Sequence, residues 1–269
     1  GAAVKNNEGE WVLLNGNQTA LMFVYYLIIR WKELGKINGK EYIVKTIVTT
    51  ETIKTIAERN GVEMYDVYTG FKWIANVMRE NEGKKNYIGG GEESYGFLCE
   101  DFVRDKDAVS ACVILAEIAA WAKDQGLSLY QLLQKIYVEY GFSKEKGISV
   151  VKKGKSGAEE IEAMMKKFRE NPLTEIAGSK VTYFYDYSTL KGKDYAENET
   201  VTLDMPTTSN VLQYFTEDNT KVSIRPSGTE PKIKFYCEVH SKVKSIDELP
   251  EAEKAAEEKI NQIKASLGI

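Results

Sequence analysis

Glu41-Tyr42-Ile43-Val44-Lys45-Thr46-Ile47-Val48-Thr49 is a β-branched, strand-like run, and its continuation toward Ile88 decides the fold. Residues 51–59 read as a helix, 62–68 as a second strand, 71–79 as a second helix and 86–88 as a short third strand. Strand and helix in alternation predict a parallel sheet covered on both faces.

Upstream, Leu21, Val24, Leu27, Ile28, Trp31 and Leu34 recur at helical spacing behind Asn15 or Asn17 as a cap. Downstream, residues 106–123 are helical and apolar on nearly every side, which predicts a buried helix, and 129–137 add another. After Gly141 the pattern changes. A strand at 148–152 and an amphipathic helix at 158–169 precede strands at 180–187, 211–215, 222–225 and 232–240, and a helix at 251–267 closes the chain. Residues 191–200, polar and containing Gly192, read as a surface loop. All five prolines lie in this second half. The fold class is therefore α/β, with a parallel-sheet domain followed by an α+β domain of antiparallel sheet with helices on one face.

The 269 residues are 43% hydrophobic, enough for two cores, and 36 basic against 40 acidic side chains give a net charge of −4. The basic residues are dispersed, which argues against nucleic acid. The longest apolar run, 21–29, is too short for a bilayer. Cys99, Cys112 and Cys237 are odd in number, far apart and without metal-ligand spacing, so they read as reduced cytosolic thiols.

Two motifs carry chemistry. Arg225-Pro226-Ser227-Gly228-Thr229-Glu230-Pro231-Lys232 combines a guanidinium fork, two hydroxyls and glycine N–H groups between stiffening prolines, which suits a phosphate dianion. Taken alone, so short a string reads equally as a hairpin turn bearing a surface arginine. Gly89-Gly90-Gly91-Glu92-Glu93-Ser94-Tyr95-Gly96 reads as a glycine loop, yet Glu92 and Glu93 would repel phosphate. Carboxylates there suit vicinal sugar hydroxyls instead. The two motifs together outline a phosphosugar.

These residues, with Thr69-Gly70-Phe71-Lys72 and Asn15-Gly16-Asn17-Gln18, resemble in order and spacing the α-D-phosphohexomutases. The likeness is greatest to bacterial phosphoglucomutases of the branch that also contains phosphopentomutases. It implies four domains: a phosphoserine domain, a magnesium-loop domain, a sugar-reading third domain and a phosphate-gripping fourth domain of TATA-box-binding-protein-like fold. No Thr/Ala-Ser-His-Asn-Pro loop and no Asp-x-Asp-x-Asp-Arg run occurs in the sequence. The chain thus reads as a C-terminal half: residues 1–14 a remnant of the metal-loop domain, 15–140 the third domain and 141–269 the fourth, with Gly1 as a tag-removal scar.

The resemblance further implies a cytoplasmic enzyme interconverting glucose 1-phosphate and glucose 6-phosphate. It would use a phosphoserine, Mg2+ bound outside this chain, and glucose 1,6-bisphosphate as intermediate; its partners would be a sugar phosphate and the missing N-terminal domains. Mannose or pentose phosphate, or a non-catalytic phosphosugar binder, are the alternatives. Glu92 and Ser94 match positions that contact sugar hydroxyls; Thr69, Gly70 and Lys72 match a loop lining the site; Arg225, Ser227, Gly228 and Thr229 match the phosphate grip. Glu93 is open to pointing away, and Tyr95 either stacks on the sugar or simply packs.

Lys72 opens a helix whose positive terminus disfavours a cation, so it either awaits an anion or snorkels into solvent. Arg104-Asp105-Lys106-Asp107 reads as a capping cluster with Asp105 as cap. It reads equally as a proton-transfer pair, in which Arg104 pushes the Lys106 pKa toward neutrality. Phosphoglucomutases place a histidine two residues before this arginine, where this chain has Phe102, which makes Lys106 the stronger candidate. The single histidine, His240, reads as structural.

Overall fold

The computed structural model describes all residues except Lys153 and Thr229, and all side chains but theirs and that of Lys155. The chain divides into two units. One comprises Gly1–Phe142 with Lys242–Leu249, the other Ser143–Ser241 with Pro250–Ile269.

The first unit opens with an antiparallel hairpin, β1 (Ala2–Lys5) and β2 (Trp11–Leu14). Helix α1 (Gly16–Glu33) comes next, and Asn15 rather than Asn17 caps it: its side chain accepts from the Gln18 N–H at 2.9 Å while Gln18 reaches back to the Asn15 N–H, a reciprocal capping box. After it come β3 (Glu41–Thr46), α2 (Thr52–Arg59), β4 (Glu63–Val67), α3 (Phe71–Asn81) and β5 (Asn86–Gly91). Strands β4, β3 and β5 pair in parallel. A short antiparallel edge strand, β6 (Phe97–Cys99), completes the order β4-β3-β5-β6. Tyr42, Val44, Val67, Tyr87 and Leu98 meet Phe71, Ile74 and Met78 of α3 in one fully buried cluster. Helices α4 (Ala108–Asp124) and α5 (Leu129–Tyr140) pack beside α1.

The glycine run departs from expectation. Gly89, Gly90 and Gly91 lie inside β5 and are buried rather than looped. A Cβ on Gly90 would stand 2.3 Å from the Val44 carbonyl oxygen, so its neighbouring backbone comes too close for any side chain. Helix α4 departs too. Only Ile118 and Ala122 are buried, and the cap is Asp107, whose carboxylate accepts from the Ser110 N–H at 2.7 Å, not Asp105.

The second unit is one eight-stranded sheet. Its members are β7 (Phe142–Val151), β8 (Glu175–Ile176), β9 (Ser179–Asp186), β10 (Lys191–Asp194), β11 (Glu199–Thr202), β12 (Leu212–Thr216), β13 (Lys221–Pro226) and β14 (Lys232–Ser241). The order is β11-β10-β9-β12-β13-β14-β7, with β8 on β9, and the pairs from β8 to β14 are antiparallel. Helix α6 (Gly154–Glu170) sets Phe168 edge-on to Phe235 of β14, and the Phe168 carbonyl accepts from the buried Tyr214 hydroxyl. Helix α7 (Leu249–Leu267) buries Ala256, Ile260 and Ile263. Residues 191–200 form the β10–β11 hairpin instead of a loop. Its turn is closed by Asp194, whose carboxylate accepts from the Ala196 and Glu197 N–H groups. Among the described residues no helix is long and apolar enough to cross a membrane.

Candidate functional site

The carboxyl ends of β3, β4 and β5 converge where ligands of parallel sheets bind. There β5 gives way to the tight connection Glu92–Gly96, the Glu92 N–H donating to the Gly96 carbonyl at 2.8 Å. Tyr95 sits in this turn at φ +73°, a left-handed conformation costly for a residue with a side chain, and it is 55% exposed. Non-glycine residues held this way cluster at functional turns.

Glu92 is 9% exposed, and its Oε1 accepts from the Gly70 N–H at 2.8 Å. Gly70 caps α3 with no side chain of its own to offer. The anion that the positive end of α3 attracts is therefore an internal carboxylate. Glu92 thus braces two loops, with its second oxygen facing Gly96: a Cβ added to Gly96 would lie 2.9 Å from Glu92 Oε2 and 3.1 Å from Lys106 Cδ. The structure so brings Gly70, Glu92, Gly96 and Lys106 together. Lys106 lies over the Phe71 ring at 5.9 Å and pairs with Asp105 at 3.2 Å. The Lys106 backbone N–H, and after it the ammonium, hold the Asp105 carboxyl below its ordinary value. Arg104, by contrast, is engaged with Glu82 at 3.3 Å and the Asp101 carbonyl at 2.6 Å. Lys72 is exposed, its ammonium 5.0 Å from the Trp73 ring. Thr69 is half-buried and Ser94 exposed, while Glu93 turns back to accept from the Thr46 hydroxyl at 3.2 Å.

Two residues hold the loops here, Gly16, quoted above without a role of its own, and Asn17, read above only as a cap. A Cβ on Gly16 would stand 1.9 Å from the Glu93 carbonyl oxygen, so the first residue of α1 abuts the Glu92–Gly96 backbone. Asn17 accepts from the Thr50 N–H at 3.0 Å and fixes the loop after β3. Glycine at the first position of a long helix is a poor helix former, and that was the available signal.

In the second unit, Arg225 is next to last in β13 and stands directly opposite Lys234 of β14. Like charges opposed across a ladder repel, and among the described residues neither forms an ion pair. Ser227 follows Pro226, its hydroxyl accepting from the Glu230 N–H at 3.3 Å, and its own N–H donates to the Lys232 carbonyl at 2.7 Å. Gly228 is exposed, Lys232 pairs with Glu230 at 2.6 Å, and Thr229 lies outside the described residues. The result is a turn flanked by two cations that form no ion pair among the described residues, open to an anion.

His240 is not at either site. Its ring meets Glu238 at 2.6 Å, and Glu238 in turn pairs with Lys221 at 2.9 Å, both of the latter fully buried. Among the described residues no group of three or more His, Cys, Asp or Glu side chains could hold a metal ion. Glu92, Glu93 and Asp105 each serve an N–H, O–H or ammonium donor, so this donor set does not fit magnesium.

Residues 15–140 match the family model for phosphoglucomutase/phosphomannomutase alpha/beta/alpha domain III, and 149–256 match that for the C-terminal domain. The chain belongs to the phosphoglucomutase/phosphomannomutase family. Among this family's curated members, the phosphoglucomutase of Staphylococcus aureus (strain MRSA252) is 37% identical over 236 residues, covering 88% of this chain and 42% of its own length. That of Staphylococcus haemolyticus is 32% identical over 240 residues, 89% of this chain and 43% of its own. This chain spans less than half the length of these curated phosphoglucomutases. Of solved structures, Paramecium pp63/parafusin shares the fold at a TM-score of 0.57 and 16% identity over 90% of this chain and 39% of its own. A putative phosphomannomutase from Thermus thermophilus does so at 0.56 and 18% over 95% and 43%.

Proposed function

We propose that this chain is the C-terminal part of a phosphoglucomutase that interconverts glucose 1-phosphate and glucose 6-phosphate. The Glu92–Gly96 turn reads sugar hydroxyls, and Arg225, Ser227, Gly228 and Thr229 grip the phosphate that is not being transferred. In such a reaction a phosphoserine passes its phosphoryl group to the free sugar hydroxyl, whose proton leaves to a base. The bisphosphate reverses, and its other phosphoryl group returns to the serine. The phosphoserine and the magnesium ligands belong to residues outside this chain. Phosphoryl transfer needs mainly positioning and charge neutralisation, and this chain's residues offer both.

The observation that carries this reading is the opposition of Arg225 and Lys234 beside Ser227, a repulsion that a bound dianion relieves. Lys106, its stem over Gly96 and beside Glu92, is the proposed proton-transfer group, with Lys72 the other candidate. Mannose and pentose phosphates are the other substrates the same turn would accept. A coupled assay from glucose 1-phosphate to glucose 6-phosphate tests the reading: the full-length polypeptide turns over and this chain alone does not. Turnover by this chain alone would show that the nucleophile lies within it.

A further inference from the structure

Helix α4 is apolar around its circumference, the pattern of a helix covered on every side, yet most of it is open. Val109 is 74% and Val113 61% exposed, and Cys112, Ala116 and Ala120 are exposed with them. Spaced three or four apart, these residues form one continuous stripe without a charge. The adjoining turn adds exposed Phe102 and Val103. Single exposed apolar side chains need no explanation, whereas a contiguous stripe marks an interface. Beside it runs a cleft of about 100 Å³, walled by Ala111 and Cys112 of α4, by Phe23 of α1, by Gly1, and by Glu92 and Gly96 of the candidate site.

We propose that the Val109, Cys112, Val113 and Ala116 face of α4 is the seat of the polypeptide that precedes Ala2 in the full-length protein. This rests on the reading of the chain as part of a longer mutase. Gly1, which adjoins Ala2 at the start of β1, lines the cleft, so the entry to the first unit lies beside this surface. The curated relatives carry more than half their length outside the matched region, enough for whole domains. The one acid among the helix's middle turns, Glu117, is taken by the Tyr26 hydroxyl at 2.6 Å, leaving the face suited to an apolar occupant.

Cys112 reports on the occupant directly. Cys99 and Cys237 are buried, and burial raises both thiols, Cys237 up to about 12, so Cys112 is the accessible thiol of this chain. Maleimide labelling followed by peptide mapping should modify Cys112 at least tenfold more slowly in the full-length protein than in this chain. Val113→Glu should restore fast labelling in the full-length protein and lower its Tm, while leaving the Tm of this chain unchanged. Equal labelling rates in the two proteins overturn the proposal. So does protection of Cys112 in this chain alone that grows with protein concentration, since a second copy would then be the occupant. Mutase turnover with an unprotected Cys112 would remove the docking and keep the enzyme; protection without turnover would do the reverse.

Discussion

Gly16→Ala sets two effects of opposite sign against each other. Alanine is the better helix former by up to about 1 kcal/mol in a helix interior and by less in the first turn, so propensity alone expects stabilisation. The added Cβ, however, would lie 1.9 Å from the Glu93 carbonyl oxygen and 2.8 Å from the Tyr95 nitrogen, both backbone atoms that no rotamer change can move. Restoring a contact of 3.0 Å requires a displacement of about 1.1 Å, the difference from 1.9 Å. Overpacking of this kind costs about 1–3 kcal/mol, so the net effect is a loss of about 1–2 kcal/mol. For a unit of this size that lowers Tm by about 2–8 °C. All four tryptophans, Trp11, Trp31, Trp73 and Trp121, lie in the first unit, so tryptophan fluorescence during melting reads that unit alone. In the full-length enzyme the displaced turn carries Glu92 with it, and a misplacement of about 1 Å can cost about 100-fold in turnover. An unchanged or raised Tm would refute the close approach of α1 to the turn and its role in placing Glu92.

The buried cluster of the second unit yields two further expectations. Burial alone would lower the His240 pKa, but the Glu238 carboxylate outweighs it and raises the value above its ordinary 6.5. A raised pKa gives stability that is complete below about 6.5 and is lost as pH climbs through the folded value, so His240→Gln should cost most below pH 6.5 and least in alkali. Calorimetric stabilities that differ between the two proteins by the same amount at pH 6 and pH 9 would remove the charge from the argument. Lys221→Met leaves Glu238 buried without its ammonium and should cost about 3–5 kcal/mol in urea unfolding, whereas Lys221→Met with Glu238→Leu should recover most of it. A double variant no more stable than the single one would show that the pair holds the sheet by geometry.

What the sequence revealed and what it hid divide along the range of the interactions. Strands β3 and β4 and helices α2 and α3 were legible because their β-branched runs and apolar spacings are local signals. Asn15 and Asn17 were ambiguous as caps because both are good ones, and only the reciprocal bond with Gln18 separates them. The glycine run was read as a loop because glycine usually marks one. Its reason here is a contact with Val44, some 46 positions earlier in the chain, that no window contains. The polar β10–β11 hairpin pairs through its backbone at a sheet edge and so lacks an apolar pattern. The sequence showed the composition of α4 correctly, but burial depends on a partner, and the described residues cover only its inner side. At the site, the tension between Lys72 and the positive end of α3 was visible, while its resolution by Glu92 depended on folding across 22 residues.

The division of labour between the two turns is tested most directly by titrating glucose 1-phosphate and inorganic phosphate into full-length enzyme carrying Glu92→Gln or Arg225→Ala. A charged hydrogen bond is worth about 1.5–3 kcal/mol, so Arg225→Ala should weaken both ligands at least about tenfold. Glu92→Gln should weaken glucose 1-phosphate and leave inorganic phosphate unchanged or slightly tighter. Equal weakening of both ligands by Glu92→Gln would contradict the account and leave Glu92 as a brace for the turn alone.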